Sequence, residues 1–353
     1  GLYSVDTTPL LPSNRVSDGF PLPTAIDPTN PTGDWVAVSF GLQTPYVQQY
    51  NLTVQRELGW GIVASAGYVA ALGRKQVSSP DINLALPGRG PVGPRRQFAS
   101  VLPSVSSITY PHTGGNTNYN SLQITAEKRF GAGFNLMTNY TWSHAIEDYR
   151  PIGTGKPGAF AVPQLVNNFH LERANSEIDM RHRWAVLWNY DLPFGGNLAG
   201  IARAVAQGWQ VNGVLLLHTG FPFSVLNASP RANTGGADRP NRVCNGTLDD
   251  DERTLQRHFE TSCFAAQPLF AIGDAGRNIL FAPGFANLDL SLFKGFAVSE
   301  QMQLQFRTEF FNLFNHPNFG LPKGALGASD FGTVSDTGNA TGRQIQFALK
   351  LLF

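Results

Sequence analysis

Nine stretches of this 353-residue chain alternate apolar and polar side chains at every second position, and the connections between them alternate short and long. An extended strand sends successive side chains to opposite faces, so each stretch reads as a strand with one apolar and one polar face. The strands are expected at 46–58, 62–71, 119–130, 134–145, 182–192, 209–219, 285–296, 302–314 and 343–353, with 209–219 open to continuing into FPFSVLN. Turns at 59–61, 131–133, 193–208 and 297–301 fall at one end, and long connections at 72–118, 146–181, 228–284 and 315–342 at the other. Up-and-down outer-membrane barrels keep this asymmetry, with short periplasmic turns and long extracellular loops. A soluble sandwich or jelly roll has no reason to. The expected fold is all-β: a portion, about 9–10 strands, of a transmembrane antiparallel up-and-down β-barrel.

The last strand, RQIQFALKLLF, puts Ile345, Phe347, Leu349, Leu351 and Phe353 on one face and Gln344, Gln346, Ala348 and Lys350 on the other. Such an edge invites aggregation unless it is covered, and barrel closure in lipid covers it. Phe353, Leu351, Leu349 and Phe347 are expected to form the signal that the barrel assembly machinery reads. Composition agrees: 14% of residues are charged, against about a quarter in soluble domains. The longest clear apolar run, VLLL at 214–217, is far too short for a membrane helix. With 26 basic and 25 acidic residues, nothing points to nucleic acid.

Arg or Lys in mid-membrane on a lipid-facing wall costs about 2–4 kcal/mol, and near the interface about 0–1. On the apolar faces Arg56, Lys128, Lys294 and Arg343 all lie near strand ends, as do Trp142, Trp184 and Trp209. The other face, expected to line the lumen, carries Glu57, Glu127, Arg129, Asp191, Asp289, Arg307, Glu309 and Lys350. There they are expected to pair and stiffen the wall rather than contact a substrate.

Residues 1–45 read as a loop segment, with WVAVSF at 35–40 as the end of a preceding strand, ahead of the barrel portion 46–353. The amino-terminus lacks a basic region followed by an apolar run, so a signal has been removed or the chain continues a longer one. Within 193–208, Leu198, Ile201, Ala202 and Val205 sit at helical spacing. Cys244 and Cys263 share one loop, where a closing disulfide is expected, two free thiols being the alternative.

No motif supports an enzyme, a cofactor or a metal. Gly153 to Pro157 lacks phosphate-loop spacing. His170 with Glu172, and Asp249 to Glu252, lack metal-ligand spacing. Ser143 and His144 are adjacent on a strand and point to opposite faces, which is wrong for a catalytic dyad.

The segments TPYVQQYNLTVQREL, NYNSLQITAEKRF, NYTWSH, DMRHRWAVLWNYDLPFG, GWQVNGVLLLHTGFPF, FRTEFFNLFNHPNF and RQIQFALKLLF resemble the carboxy-terminal half of TonB-dependent, Oar-like outer-membrane receptors, common in Acidobacteria. The resemblance implies a transporter barrel of about 22 strands with a plugged lumen. It implies ligand uptake across the outer membrane, with the TonB system acting through a plug that this stretch lacks. Outer-membrane lipid, the barrel assembly machinery and an unidentified extracellular ligand are the partners expected. A passive pore and a surface adhesion or structural protein are the alternatives.

Overall fold

The computed structural model describes residues 31–130, 133–148, 163–165, 168–299, 301–338 and 342–353. Nine long strands appear where the alternation places them: β1 (Tyr46–Glu57), β2 (Ile62–Ser78), β3 (His112–Phe130), β4 (Phe134–Glu147), β5 (His182–Asp191), β6 (Trp209–His218), β7 (Phe285–Ala297), β8 (Gln303–Phe311) and β9 (Gln344–Leu352). They form one antiparallel sheet in chain order, with the two-residue segment Ala174–Asn175 added beside the end of β4. β1 and β9 are its two edges.

The register explains why the sheet has two unlike faces. One row runs Val54, Ala66, Ile124, Tyr140, Trp184, Leu217, Ala286 across seven strands, each residue paired with the next. The neighbouring row, one position along, runs Gln55, Ser65, Thr125, Asn139, Ala185, Leu216, Asn287. The apolar face continues through Leu290, Phe310 and Ile345 to β9, where Phe306 and Phe347 stack at 6.3 Å. A slip of one residue in any strand would exchange the faces, so patterning and register fix each other. On this face Gly213 lies under the Trp188 ring, in space that any Cβ would occupy.

Three departures from the sequence reading stand out. β2 and β3 are longer than the apolar alternation, reaching Ser78 and starting at His112. Their added register is irregular between Gly73 and Val77, and Lys75 takes φ 55°. Hydrogen bonding carries the hairpin past the point where its side chains stop alternating. Second, β6 ends at His218 and does not continue through FPFSVLN. Gly220 passes so close to the Ala282 carbonyl that a side chain would not fit, and the chain leaves the sheet there. Third, of the 35–40 piece expected to end a preceding strand only Trp35 and Val36 are strand, within Gly33–Val36, which pairs in parallel with Val105–Thr109 rather than with the sheet.

The helical spacing in 193–208 is realised as α1 (Gly200–Ala206) at the short-turn end. It corrects the expectation for Lys294, which is buried rather than facing lipid. The Lys294 ammonium donates to the carbonyls of Ala204, at 2.7 Å, and Gln207 at the end of α1. It also sits 4.6 Å from the Phe296 ring and 5.7 Å from that of Trp209. Unsatisfied carbonyls at a helix end suit a cation, and here they take one that the wall could not leave bare.

Candidate functional site

The long connections do not hang free: they fold together into a layer with its own core at one end of the sheet. Phe223, Val225, Phe259, Cys263, Phe264 and Leu280 are buried there, with Leu321, Leu326 and Phe331 packed against them. Phe259 is the hub, with ring centroids 5.7 Å from Phe223, 5.8 Å from Phe264 and 5.3 Å from Phe331. Burying a phenylalanine in this way contributes about 1.5–3 kcal/mol. Short ladders tie the segments: Pro222–Phe223 with Leu280–Phe281, Leu226–Asn227 with Ala325–Leu326, and Asn241–Arg242 with Phe264–Ala265. Cys244 and Cys263 are joined by a disulfide.

The layer's polar interior is held by specific pairs. Arg239 donates to both Glu172 oxygens, at 2.9 and 3.2 Å, and to the carbonyls of Ala275 and Leu171. Asp238 accepts from the amides of Arg231 and Ala232 and from the Asn227 side chain. Arg277 binds Glu147 at 2.9 Å, and Ser176 donates to the same carboxylate at 2.8 Å, which fastens the layer to the end of β4. Asn233 donates to the carbonyls of Gly88 and Gly90, bringing in the first long connection. At the surface, Ser262 and Arg257 hydrogen bonds hold the exposed Glu260 carboxyl down to about 2. His258 is held below its ordinary value, chiefly by burial, although its ring donates to the Phe281 carbonyl.

Of the charges predicted for the polar wall, five fall into two separate groups, while Asp191 ends β5 and Lys350 lies on β9. Glu57 and Glu127 flank Val63 near the short-turn end of β1–β3. Asp289, Arg307 and Glu309 lie on β7 and β8, three strands away across β4–β6. The register puts all five on the polar face, but they make no single constellation. Arg307 donates to the Gln305 amide oxygen at 2.7 Å and lies 4.6 Å from the Phe293 ring. Asp289 accepts from Asn287 and from the Asn312 amide, closing the end of β8. The side chain of Arg129 and the segment 153–157 lie outside the described residues.

Ser143 donates to the Met180 carbonyl at 2.6 Å, while His144 contacts Asn175 at 2.9 Å. The two are engaged on opposite faces. Beyond the end of β9, Phe353 is almost wholly exposed, and Phe347, Leu349 and Leu351 are exposed on the apolar face. Glu172, set aside in the sequence as a poor metal ligand, is instead the buried partner of Arg239. No spacing rule could have joined residues 67 positions apart.

The outer membrane transporter YddB from Escherichia coli is similar, at 11% identity and a TM-score of 0.48, over 92% of this chain and 34% of its own. The ferric enterobactin receptor from Pseudomonas aeruginosa matches at 12% identity and 0.45, over 88% and 31%. The FrpB iron transporter from Neisseria meningitidis matches at 11% and 0.42, over 90% and 32%. The chain therefore spans about a third of the length of these structures. No curated protein matches in sequence. The family described as Outer membrane beta barrel domain matches residues 2–346. With its two-faced antiparallel sheet and its long connections gathered at one end, the chain belongs to that outer-membrane β-barrel family.

Proposed function

We propose that this chain is the carboxy-terminal barrel segment of a TonB-dependent outer-membrane transporter, and that its folded loop layer receives an extracellular ligand. The observation that carries the reading is the layer itself: the third and fourth long connections share one core, and hydrogen bonds tie the first and second to it. A built receiving surface suits a receptor better than a plain pore. In this reading Glu57, Glu127, Arg129, Asp289, Arg307 and Glu309 face a lumen filled by a plug, and TonB acts on that plug. The edges of β1 and β9 pair with further strands of a barrel of about 22, because each unsatisfied backbone group in lipid costs several kcal/mol. Residues 1–45 join the extracellular side. The barrel assembly machinery reads Phe347, Leu349, Leu351 and Phe353.

The test is to isolate the native polypeptide from outer membranes with an antibody to the exposed turn 249–252, then measure its size and its conductance in planar bilayers. A band far above the 38.3 kDa of this chain, with no steady conductance, is expected of a plugged transporter. A band at the chain's own mass with a steady open channel would replace the reading with a passive pore.

A further inference from the structure

The third long connection holds an Asn-Gly dipeptide, Asn245–Gly246, directly after Cys244 of the disulfide. Asn245 is exposed, and its side-chain oxygen is gripped by its neighbours. The Arg242 guanidinium donates to Asn245 Oδ1 at 2.6 Å and also to the Asn245 carbonyl. The Thr247 hydroxyl faces the same Oδ1 at 3.4 Å. We infer that Asn245 is a self-modification site, at which the Gly246 amide nitrogen displaces the side-chain amide and leaves aspartate or isoaspartate.

The step needs only water and hydroxide from the medium. Hydroxide takes the Gly246 N–H proton, and the nitrogen adds to Asn245 Cγ. Negative charge then develops on Oδ1, where the guanidinium already points, as donors do in an oxyanion hole. The Cγ–Nδ2 bond breaks, Nδ2 takes a proton from water and leaves as ammonia, and a five-membered imide remains. Water opens that imide at either carbonyl, giving aspartate or the isoaspartate whose backbone runs through the side chain. Overall, one amide and one water become one carboxylate and one ammonium, with no change of oxidation state.

The surroundings favour this step at Asn245. Gly246 takes φ 79°, so the dipeptide lies in a turn, and a glycine sets no side chain over its nitrogen. Among the described residues none accepts from the Gly246 N–H. The nearby acids leave the guanidinium of Arg242 unpaired: Asp274 accepts from the Arg242 backbone amide at 2.7 Å, and Glu260 spends its carboxylate on Ser262 and Arg257. A guanidinium that surrounds a neutral oxygen is better matched by a carboxylate, so the modified residue fits the site better than the encoded one. The chain's other Asn-Gly pair, Asn212–Gly213, is the natural contrast. Gly213 lies inside the sheet, paired with Trp188 on one side and Leu290 on the other, and its amide belongs to the ladder. The conversion is one-way, so the fraction converted records the time since folding, whatever the barrel transports.

The test uses the native protein, extracted in detergent with its disulfide intact and incubated in neutral buffer. Peptide mass spectrometry, with fragmentation that separates asparagine, aspartate and isoaspartate, follows both Asn-Gly pairs. Conversion is expected at Asn245 while Asn212 stays intact, with ammonia released in equal amount. Arg242→Gln should slow conversion about tenfold, less than the loss of an oxyanion donor costs in a closed active site. Arg242→Lys, which keeps the cation, should fall between the two and decides the matter if Arg242→Gln loosens the turn. Asn245→Asp, which supplies the product directly, should slow proteolysis within 244–263. An intact Asn245 in the folded protein, after the reduced and unfolded chain has converted at both pairs, would overturn the inference. An equal or faster rate in both Arg242 variants would show that the guanidinium does not drive the reaction, and would overturn it as well.

Discussion

Replacing Glu172 by alanine should open the loop layer while leaving the sheet intact. Both members of the Arg239–Glu172 pair are buried, with side chains 5% and 7% exposed, so solvent screening offers little relief. Deleting one partner of a buried pair costs about 3–5 kcal/mol, because the other is left as an uncompensated charge. Arg239 would keep its bonds to the carbonyls of Ala275 and Leu171, which place it but do not neutralise it. Since about 1.4 kcal/mol is a factor of ten, local opening should rise about a hundred- to several-thousand-fold. The assay is hydrogen exchange on the native protein in detergent, followed by mass spectrometry of peptides covering 168–175 and 231–243. Those peptides should lose protection by that factor, whereas peptides from β5 and β6 should exchange as before. Glu172→Gln, which keeps an acceptor at the same place, should cost less than alanine. Exchange within threefold of the unaltered protein in Glu172→Ala would refute the reasoning and show that the pair adds nothing net.

Three further outcomes are expected. Replacing both Cys244 and Cys263 by serine should destabilise the layer by about 3 kcal/mol, the chain-entropy figure for a short closed loop, and speed proteolysis within 244–263; in the unaltered protein, alkylation of either thiol without a reductant would contradict the bond. Burial keeps the His258 imidazole neutral in the folded layer, so its contribution is complete above the unfolded value of about 6.5 and shrinks as pH falls below that towards the depressed folded value. Protease sensitivity of the layer should therefore rise between pH 7.5 and 5.5, and His258→Gln should flatten that dependence; equal slopes would assign the effect to other groups. Deleting Phe353 should lower the outer-membrane level several-fold in immunoblots of fractionated cells, and an undiminished level would dissociate the terminal side chain from assembly.

The sheet was legible because a lipid-facing wall imposes a rule at every second residue, and the chain obeys it from Leu52 to Leu351. Strand ends were less so. At Gly73–Ser78 and His112–Asn116 no apolar pattern is required, and only hydrogen bonding extends the hairpin. α1 was readable from Leu198, Ile201, Ala202 and Val205, but its service to Lys294 was not, because 87 residues separate that ammonium from the Gln207 carbonyl. The loop layer was the least legible part. Its core is drawn from Phe223, Phe259, Leu280 and Phe331, residues in segments with no periodicity of their own. Only the sheet, by fixing where each connection starts and ends, brings them together.

The layer also has a bearing on the order in which the molecule is made. The Cys244–Cys263 bond closes within a single connection, 19 residues apart, and needs no strand in place. The Arg239–Glu172 pair spans 67 residues and the Asn233–Gly88 bond 145. Such distant closures form readily only after something else has gathered the ends, and here that something is the sheet that flanks each connection. The covalent loop can thus close before the sheet exists, whereas the shared layer can close only once the sheet has gathered its ends.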